Sequence, residues 1–196
     1  MYLVANLRGG GEYGEAWHKA GNLTNKQNVF DDFLACAKYL IEHKCTNPKK
    51  LAIEGGSNGG LLMGAALTHH PELFRAVIAH VGVLDMLRVE LHPNGAFNVT
   101  EYGTVKDKKQ FEALYGYSPY HHVMDGTAYP AVLFLTGQND PRVLRSESDL
   151  IVKTLRDKKI PVEYQVVMNE GHSMDHRETK IDFLTRVARF LADNTR

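Results

Sequence analysis

Ser57 stands in Gly55-Gly56-Ser57-Asn58-Gly59, with the apolar run Leu51-Ala52-Ile53 before it and the helix-like run Leu61-Leu62-Met63-Gly64-Ala65-Ala66-Leu67 after it. This is G-x-S-x-G between a strand and a helix, a setting in which a serine is lifted onto a sharp turn and used as a nucleophile. Small residues are needed there because the turn strains the serine backbone and brings strand and helix close together. A serine hydroxyl is a weak nucleophile until a base takes its proton, so an imidazole and a group to orient it must come from elsewhere. Asp140 ends Leu133-Phe134-Leu135-Thr136-Gly137-Gln138-Asn139-Asp140, and His172 follows Tyr164-Gln165-Val166-Val167-Met168 within Asn169-Glu170-Gly171-His172. Both lie just past apolar runs, where an open parallel sheet gathers its functional groups. The order serine, aspartate, histidine is the one such a sheet uses for a hydrolytic triad. In that reading Ser57 attacks an acyl carbon, His172 takes and returns the proton, and Asp140 fixes the imidazole tautomer. The backbone N–H of Asn58 is one oxyanion donor, and no loop preceding Tyr2 offers the second.

The elements that must position these groups follow from periodicity. Strand-like runs cover residues 2–7, 50–54, 76–80, 131–136 and 162–167. Between them, 29–43 has Phe30, Phe33, Leu34, Ala37, Leu40 and Ile41 at helical spacing, with Asn28 as its expected N-cap. Further helices are expected at 61–69, at 146–158 through Leu150, Ile151 and Leu155, and at 180–194 through Ile181, Leu184, Val187, Phe190 and Leu191. Strands alternating with helices predict an α/β fold, a parallel sheet covered on both faces. Residues 85–125, rich in His, Asn, Gly and Tyr, read as an excursion between two strands, with a short helix near 106–115. At 196 residues the chain is expected to form a single α/β domain over 1–196.

Composition removes several classes. Charges balance, 23 basic against 23 acidic, with no basic stripe, so neither nucleic acid nor a membrane surface is expected as partner. No apolar stretch reaches bilayer length, no signal-peptide pattern opens the sequence, and Cys36 and Cys45 match no disulfide or zinc framework, which together predict a reduced, cytoplasmic protein. Gly9-Gly10-Gly11-Glu12-Tyr13-Gly14 matches G-x-G-x-x-G, but the next convincing helix starts near Val29 and the next strand ends at Glu54, too far for a dinucleotide fold. A glycine-permitted loop is the better account. His172 and His176 are four apart, yet Ser173 stands where a metalloprotease carries glutamate and Gly171 argues for a loop. No metal and no cofactor are expected.

Taken together, these residues resemble the catalytic domain of the prolyl oligopeptidase family of serine peptidases. The resemblance runs through Ala5-Asn6-Leu7-Arg8-Gly9-Gly10-Gly11-Glu12-Tyr13-Gly14-Glu15, Trp17-His18-Lys19, Asn25-Lys26-Gln27-Asn28, Phe30-Asp31-Asp32-Phe33 and the Ser57 segment as far as Leu62. It continues through Val81-Gly82-Val83-Leu84-Asp85-Met86, Tyr117-Ser118-Pro119, Asn139-Asp140-Pro141-Arg142-Val143 and Gly171-His172. It implies a truncated α/β-hydrolase fold, a Ser57–Asp140–His172 triad, and Arg142 as donor to a substrate carbonyl. It also implies that Val83, Tyr102 and Val143 line the specificity pocket. Prolyl-specific members stack the substrate proline on a tryptophan four residues before the tyrosine matching Tyr102; here Asn98 stands at that substrate-binding position, and Phe97 beside it is the expected substitute face. The sequence carries no counterpart of the family's β-propeller, its first sheet strands or the tyrosine that completes its oxyanion hole. A homodimer covering the sheet is therefore expected. The functional expectation is a serine hydrolase acting on short peptides through an acyl-enzyme; the alternatives are a carboxylesterase on small esters, or a catalytically weak fragment or interaction module.

Overall fold

A computed structural model describes all residues, Met1–Arg196. They fall into two compact units, Met1–Cys45 with Met86–Ser118, and Thr46–Asp85 with Pro119–Arg196.

The second unit holds the sheet. Its strands are β1 (Ala52–Gly56), β2 (Ala76–His80), β3 (Ala131–Gly137) and β4 (Glu163–Val167), all parallel and paired in chain order. Helices α3 (Asn58–His69), α6 (Arg145–Asp157) and α7 (Arg177–Thr195) belong to the same unit. The strands alternate as a sheet buried on both faces must. Ala76, Ile78, Leu133 and Leu135 point to one face and form a core with Val187 and Phe190 of α7. Their neighbours Val77, Ala79, Val132 and Phe134, at most 1% exposed, point the other way, where α3 packs along β1 and β2 and α6 along β3.

The first unit is helical, with α1 (Glu15–Lys19), α2 (Gln27–Glu42), α4 (Gly95–Tyr102) and α5 (Lys108–Tyr117). A fork of hydrogen bonds ties its opening segment to α2: the Arg8 guanidinium donates to both carboxylate oxygens of Asp32 at 2.6 and 2.9 Å. Lys26, 2% exposed, donates to Glu101 at 2.7 Å, and Glu101 also bonds His18 at 2.9 Å. Burial works to raise the Glu101 pKa, but the Lys26 and His18 hydrogen bonds outweigh it and hold the carboxylate below its ordinary range. α5 begins on Asp107, whose carboxylate accepts from the Gln110 N–H at 2.9 Å.

Four of the five expected strands form within two residues of the expected bounds. Residues 2–7 do not: they join no ladder, and Tyr2, Leu3 and Val4 are exposed. An alternating apolar pattern specifies strand propensity, whereas a strand exists only where a neighbour accepts its hydrogen bonds. Helix boundaries move for local reasons as well. α2 begins at Gln27, and Asn28 lies inside it, its side-chain amide donating to Ala20 O at 2.7 Å instead of capping. A short helix, α1, opens directly after the glycine loop, which takes positive φ at Gly9 (93°) and Gly14 (84°). On α6 the buried face is Glu147, Ser148, Ile151, Val152 and Leu155, leaving Leu150 exposed. On α7 the stripe at 183, 187, 190 and 191 packs inward, and Ile181 and Leu184 fall outside it.

Candidate active site

β1 ends at Gly56, and the next residue, Ser57, turns the chain into α3 with φ 58° and ψ −116°. A non-glycine residue at positive φ pays a steric cost and persists only where its surroundings hold it. Two hydrogen bonds and two close backbone approaches hold Ser57. Its N–H donates to His80 O at the end of β2 (2.9 Å), and its carbonyl accepts from the Leu61 N–H (3.1 Å). A Cβ on Gly55 would lie 2.5 Å from Gly59 O, and one on Gly60 would lie 2.5 Å from Gly82 Cα. Strand, turn and helix are thus packed backbone to backbone, which only glycine permits.

The other two groups arrive on loops that continue the ladder past the strand ends. The Gln138 N–H donates to Val167 O (2.9 Å) and the Asn139 N–H to Glu170 O (2.8 Å), which draws the loop after β3 onto the loop after β4. Asp140 is 5% exposed. Its Oδ1 accepts the backbone N–H groups of Arg142 (2.8 Å) and Val143 (3.0 Å), leaving Oδ2 to face His172 Nδ1 at 2.7 Å. His172 Nε2 lies 3.0 Å from Ser57 Oγ. The three side chains picked out from sequence therefore form one hydrogen-bonded series, with His172 in the middle and 115 residues beyond Ser57 in the chain. With the aspartate on Nδ1, the tautomer that leaves Nε2 free to accept the serine proton is the one favoured.

The N–H groups of Asn58, Gly59 and Gly60, at the first turn of α3, bond to no carbonyl of the chain. Asn58 is therefore an available donor beside Ser57. Val83 and Val143 are buried in the same unit. Arg142 is exposed, and its backbone N–H, bonded to Asp140, is its one hydrogen bond within the chain. Phe97, Asn98 and Tyr102 all lie on α4 of the first unit: Phe97 is exposed, Asn98 partly so, and Tyr102 is buried beneath the Lys26 ammonium, 5.2 Å from its ring centre. His176 is occupied by Glu170, 2.6 Å from its Nδ1.

Two further groups shape this region without having been singled out from sequence. His80 accepts the Ser57 N–H through its carbonyl, while its ring packs against Gly56 and edge-on to Phe183 (5.2 Å). Burial, with the nearby charge of His172, pushes its pKa below the ordinary histidine range. Glu147, 2% exposed on α6, accepts the N–H groups of Leu84 (2.7 Å) and Asp85 (2.6 Å) and so fixes the loop that carries Val83. Its signal in the sequence was a carboxylate two turns from Leu155 on the helix's apolar side, indistinguishable there from a solvated glutamate.

The model of the prolyl oligopeptidase family matches residues 1–196. The chain belongs to this family. Among its relatives is a prolyl endopeptidase of Dictyostelium discoideum, 46% identical over 178 residues that cover 88% of this chain and 23% of the relative. A second, from Elizabethkingia meningoseptica, is 43% identical over 176 residues, again 88% of this chain and 25% of the relative. In three dimensions the chain superposes on a prolyl endopeptidase with a TM-score of 0.93 at 45% identity, covering 97% of this chain and 29% of that one. The α/β-hydrolase fold expected from sequence is thereby established. The chain spans about a quarter of the length of the curated family members it matches.

Proposed function

We propose that this chain is a serine hydrolase that cleaves short peptides by acyl transfer through Ser57. The observation that carries the reading is the series Asp140 Oδ2, His172 and Ser57 Oγ, with links of 2.7 and 3.0 Å, on a strained turn at a strand end. In the first half-reaction His172 Nε2 takes the Ser57 proton as Oγ bonds to the scissile carbonyl carbon. The resulting oxyanion is met by the Asn58 N–H. The tetrahedral intermediate collapses, the C–N bond breaks, and His172 gives its proton to the departing amine. Water then attacks the acyl-enzyme with His172 as base, releasing the acid and restoring Ser57. Asp140, held by two backbone N–H groups, keeps the imidazole oriented throughout.

Arg142 and its free guanidinium suit a carbonyl on the acyl side of the substrate, and Val83 and Val143 an apolar side chain next to the cleaved bond. Peptides are the substrates favoured by family membership. Small aryl esters are the second reading: a phenolate departs without full protonation, so an ester asks less of His172 as general acid than an amide does. The experiment is steady-state hydrolysis of a prolyl anilide and of a small aryl ester by the 196-residue chain and by Ser57→Ala. Cleavage of the anilide that disappears in the variant supports the peptidase, cleavage of the ester alone supports the esterase, and activity equal in both proteins refutes Ser57 as nucleophile.

A further inference from the structure

We propose that Glu170 is a positioning residue for His172, closing the segment between β4 and α7 into a rigid loop. His172 must present one nitrogen to Asp140 and the other to Ser57 at the same time, and it does so from a loop with no secondary structure of its own. Glu170 lies two residues before it. Its side chain is 2% exposed, and its carboxylate gathers donors from beyond His172: the Asp175 N–H at 3.0 Å, His176 Nδ1 at 2.6 Å and the Thr179 hydroxyl in a short bond. Both ends of the segment are therefore fastened to a single group. The Glu170 carbonyl meanwhile accepts from the Asn139 N–H, adjacent to Asp140 (2.8 Å). One residue thus ties the imidazole loop to the aspartate loop through its backbone and to the first turn of α7 through its side chain.

The loop needs such fastening. Asn169 and Met174, which flank it, both hold positive φ (61° and 49°), conformations that relax unless the surroundings fix them. Met174 is anchored in the α7 core, 4% exposed. At the polar end, hydrogen bonds from Thr179 and then His176 outweigh burial and keep the Glu170 carboxyl ionised below its usual range, so that both oxygens act as acceptors. The His176 side chain is 73% exposed, so its share is screened by water; the Thr179 hydroxyl and the Asp175 N–H are the bonds expected to matter most.

The rate readout rests on the acyl-transfer reading of Ser57, whereas the spectroscopic one does not. In the full 196-residue chain, Glu170→Gln, Thr179→Val and Thr179→Ser are compared with the parent. Thr179→Val changes one partly buried side chain and tests the loop even if Glu170→Gln does not fold. Long-range ¹⁵N–¹H spectra report the hydrogen bonding of the two His172 ring nitrogens without any turnover. The expected result is that both nitrogens shift in Glu170→Gln and Thr179→Val and return to the parent values in Thr179→Ser. In parallel, the rate at which a fluorophosphonate modifies Ser57 falls by roughly 10- to 100-fold in Glu170→Gln, with KM for an ester substrate changed far less than kcat. His172 nitrogens unchanged in folded Glu170→Gln or Thr179→Val overturn the proposal. An inert parent chain overturns the hydrolase reading instead and leaves the ring-nitrogen comparison to decide the role of Glu170.

Discussion

The Ser57 turn makes a sharp demand on neighbouring glycines, and the demand differs from one to the next. A Cβ at Gly60 would meet Gly82 Cα at 2.5 Å, Gly82 N at 3.1 Å and His80 O at 3.1 Å, all backbone atoms that cannot rotate away. Ordinary contact between carbons is about 3.5–4.0 Å, so Gly60→Ala must push α3 and the 80–82 segment apart by about 1 Å. Overpacking of this kind costs about 1–3 kcal/mol, a drop of roughly 5- to 150-fold in the folding equilibrium. The displaced segment is the one whose His80 carbonyl holds the Ser57 N–H. A shift of about 1 Å there is enough to slow Ser57 modification by up to about 100-fold. Gly59 is the internal control: no atom lies within 4 Å of its Cβ position. Gly59→Ala should be neutral or stabilising by up to about 1 kcal/mol, because alanine loses less backbone entropy in a helix. Urea denaturation with matched m-values, paired with fluorophosphonate labelling rates, measures both effects. A Gly60→Ala chain with parental midpoint and labelling rate, or a Gly59→Ala chain as damaged as Gly60→Ala, would refute the packing account of the turn.

Three other outcomes follow from the geometry. Asp140→Asn keeps the shape but favours the wrong imidazole tautomer, so kcat should fall by about 10³- to 10⁴-fold with the fold intact by circular dichroism; a loss under tenfold contradicts the role given to Asp140. Glu101→Ala strands the buried Lys26 ammonium and should destabilise the chain by about 3–5 kcal/mol in denaturant titration, with Glu101→Gln, which keeps an acceptor, costing less. His80, its pKa lowered by burial and by His172, binds fewer protons in the folded chain than in the unfolded one. Its contribution is thus intact above about pH 6.5 and is lost as pH falls below that. His80→Gln should flatten the decline in melting temperature between about pH 6.5 and 5, and an unchanged slope argues against it.

Sequence carried the parallel sheet and the Ser57, Asp140 and His172 positions because each rests on a local pattern: an apolar run, a turn, then a polar residue at the strand end. What it missed depends on partners distant in the chain. Residues 2–7 have strand-like alternation, yet pairing is a property of two segments and no second one meets them here. The exposed positions of Leu150, Ile181 and Leu184 show the same limit, since which side of an amphipathic helix is buried depends on what it packs against. Glu170 and Glu147 carry no distinctive spacing; a buried carboxylate is visible only once the N–H groups it satisfies have been brought to it. Membership of the prolyl oligopeptidase family was legible in the motif set and is borne out by the match over residues 1–196.

Ser57, His172 and Asp140 are proposed to act as one acyl-transfer unit in this chain. The most direct measurement is intact-mass and peptide-level analysis after exposure to a fluorophosphonate probe, with Ser57→Ala and His172→Ala as controls. The expected result is one adduct per chain, located on Ser57, absent from Ser57→Ala and formed at least 100-fold more slowly in His172→Ala. A parent chain that stays unmodified, or an adduct that forms as fast without His172, would contradict it.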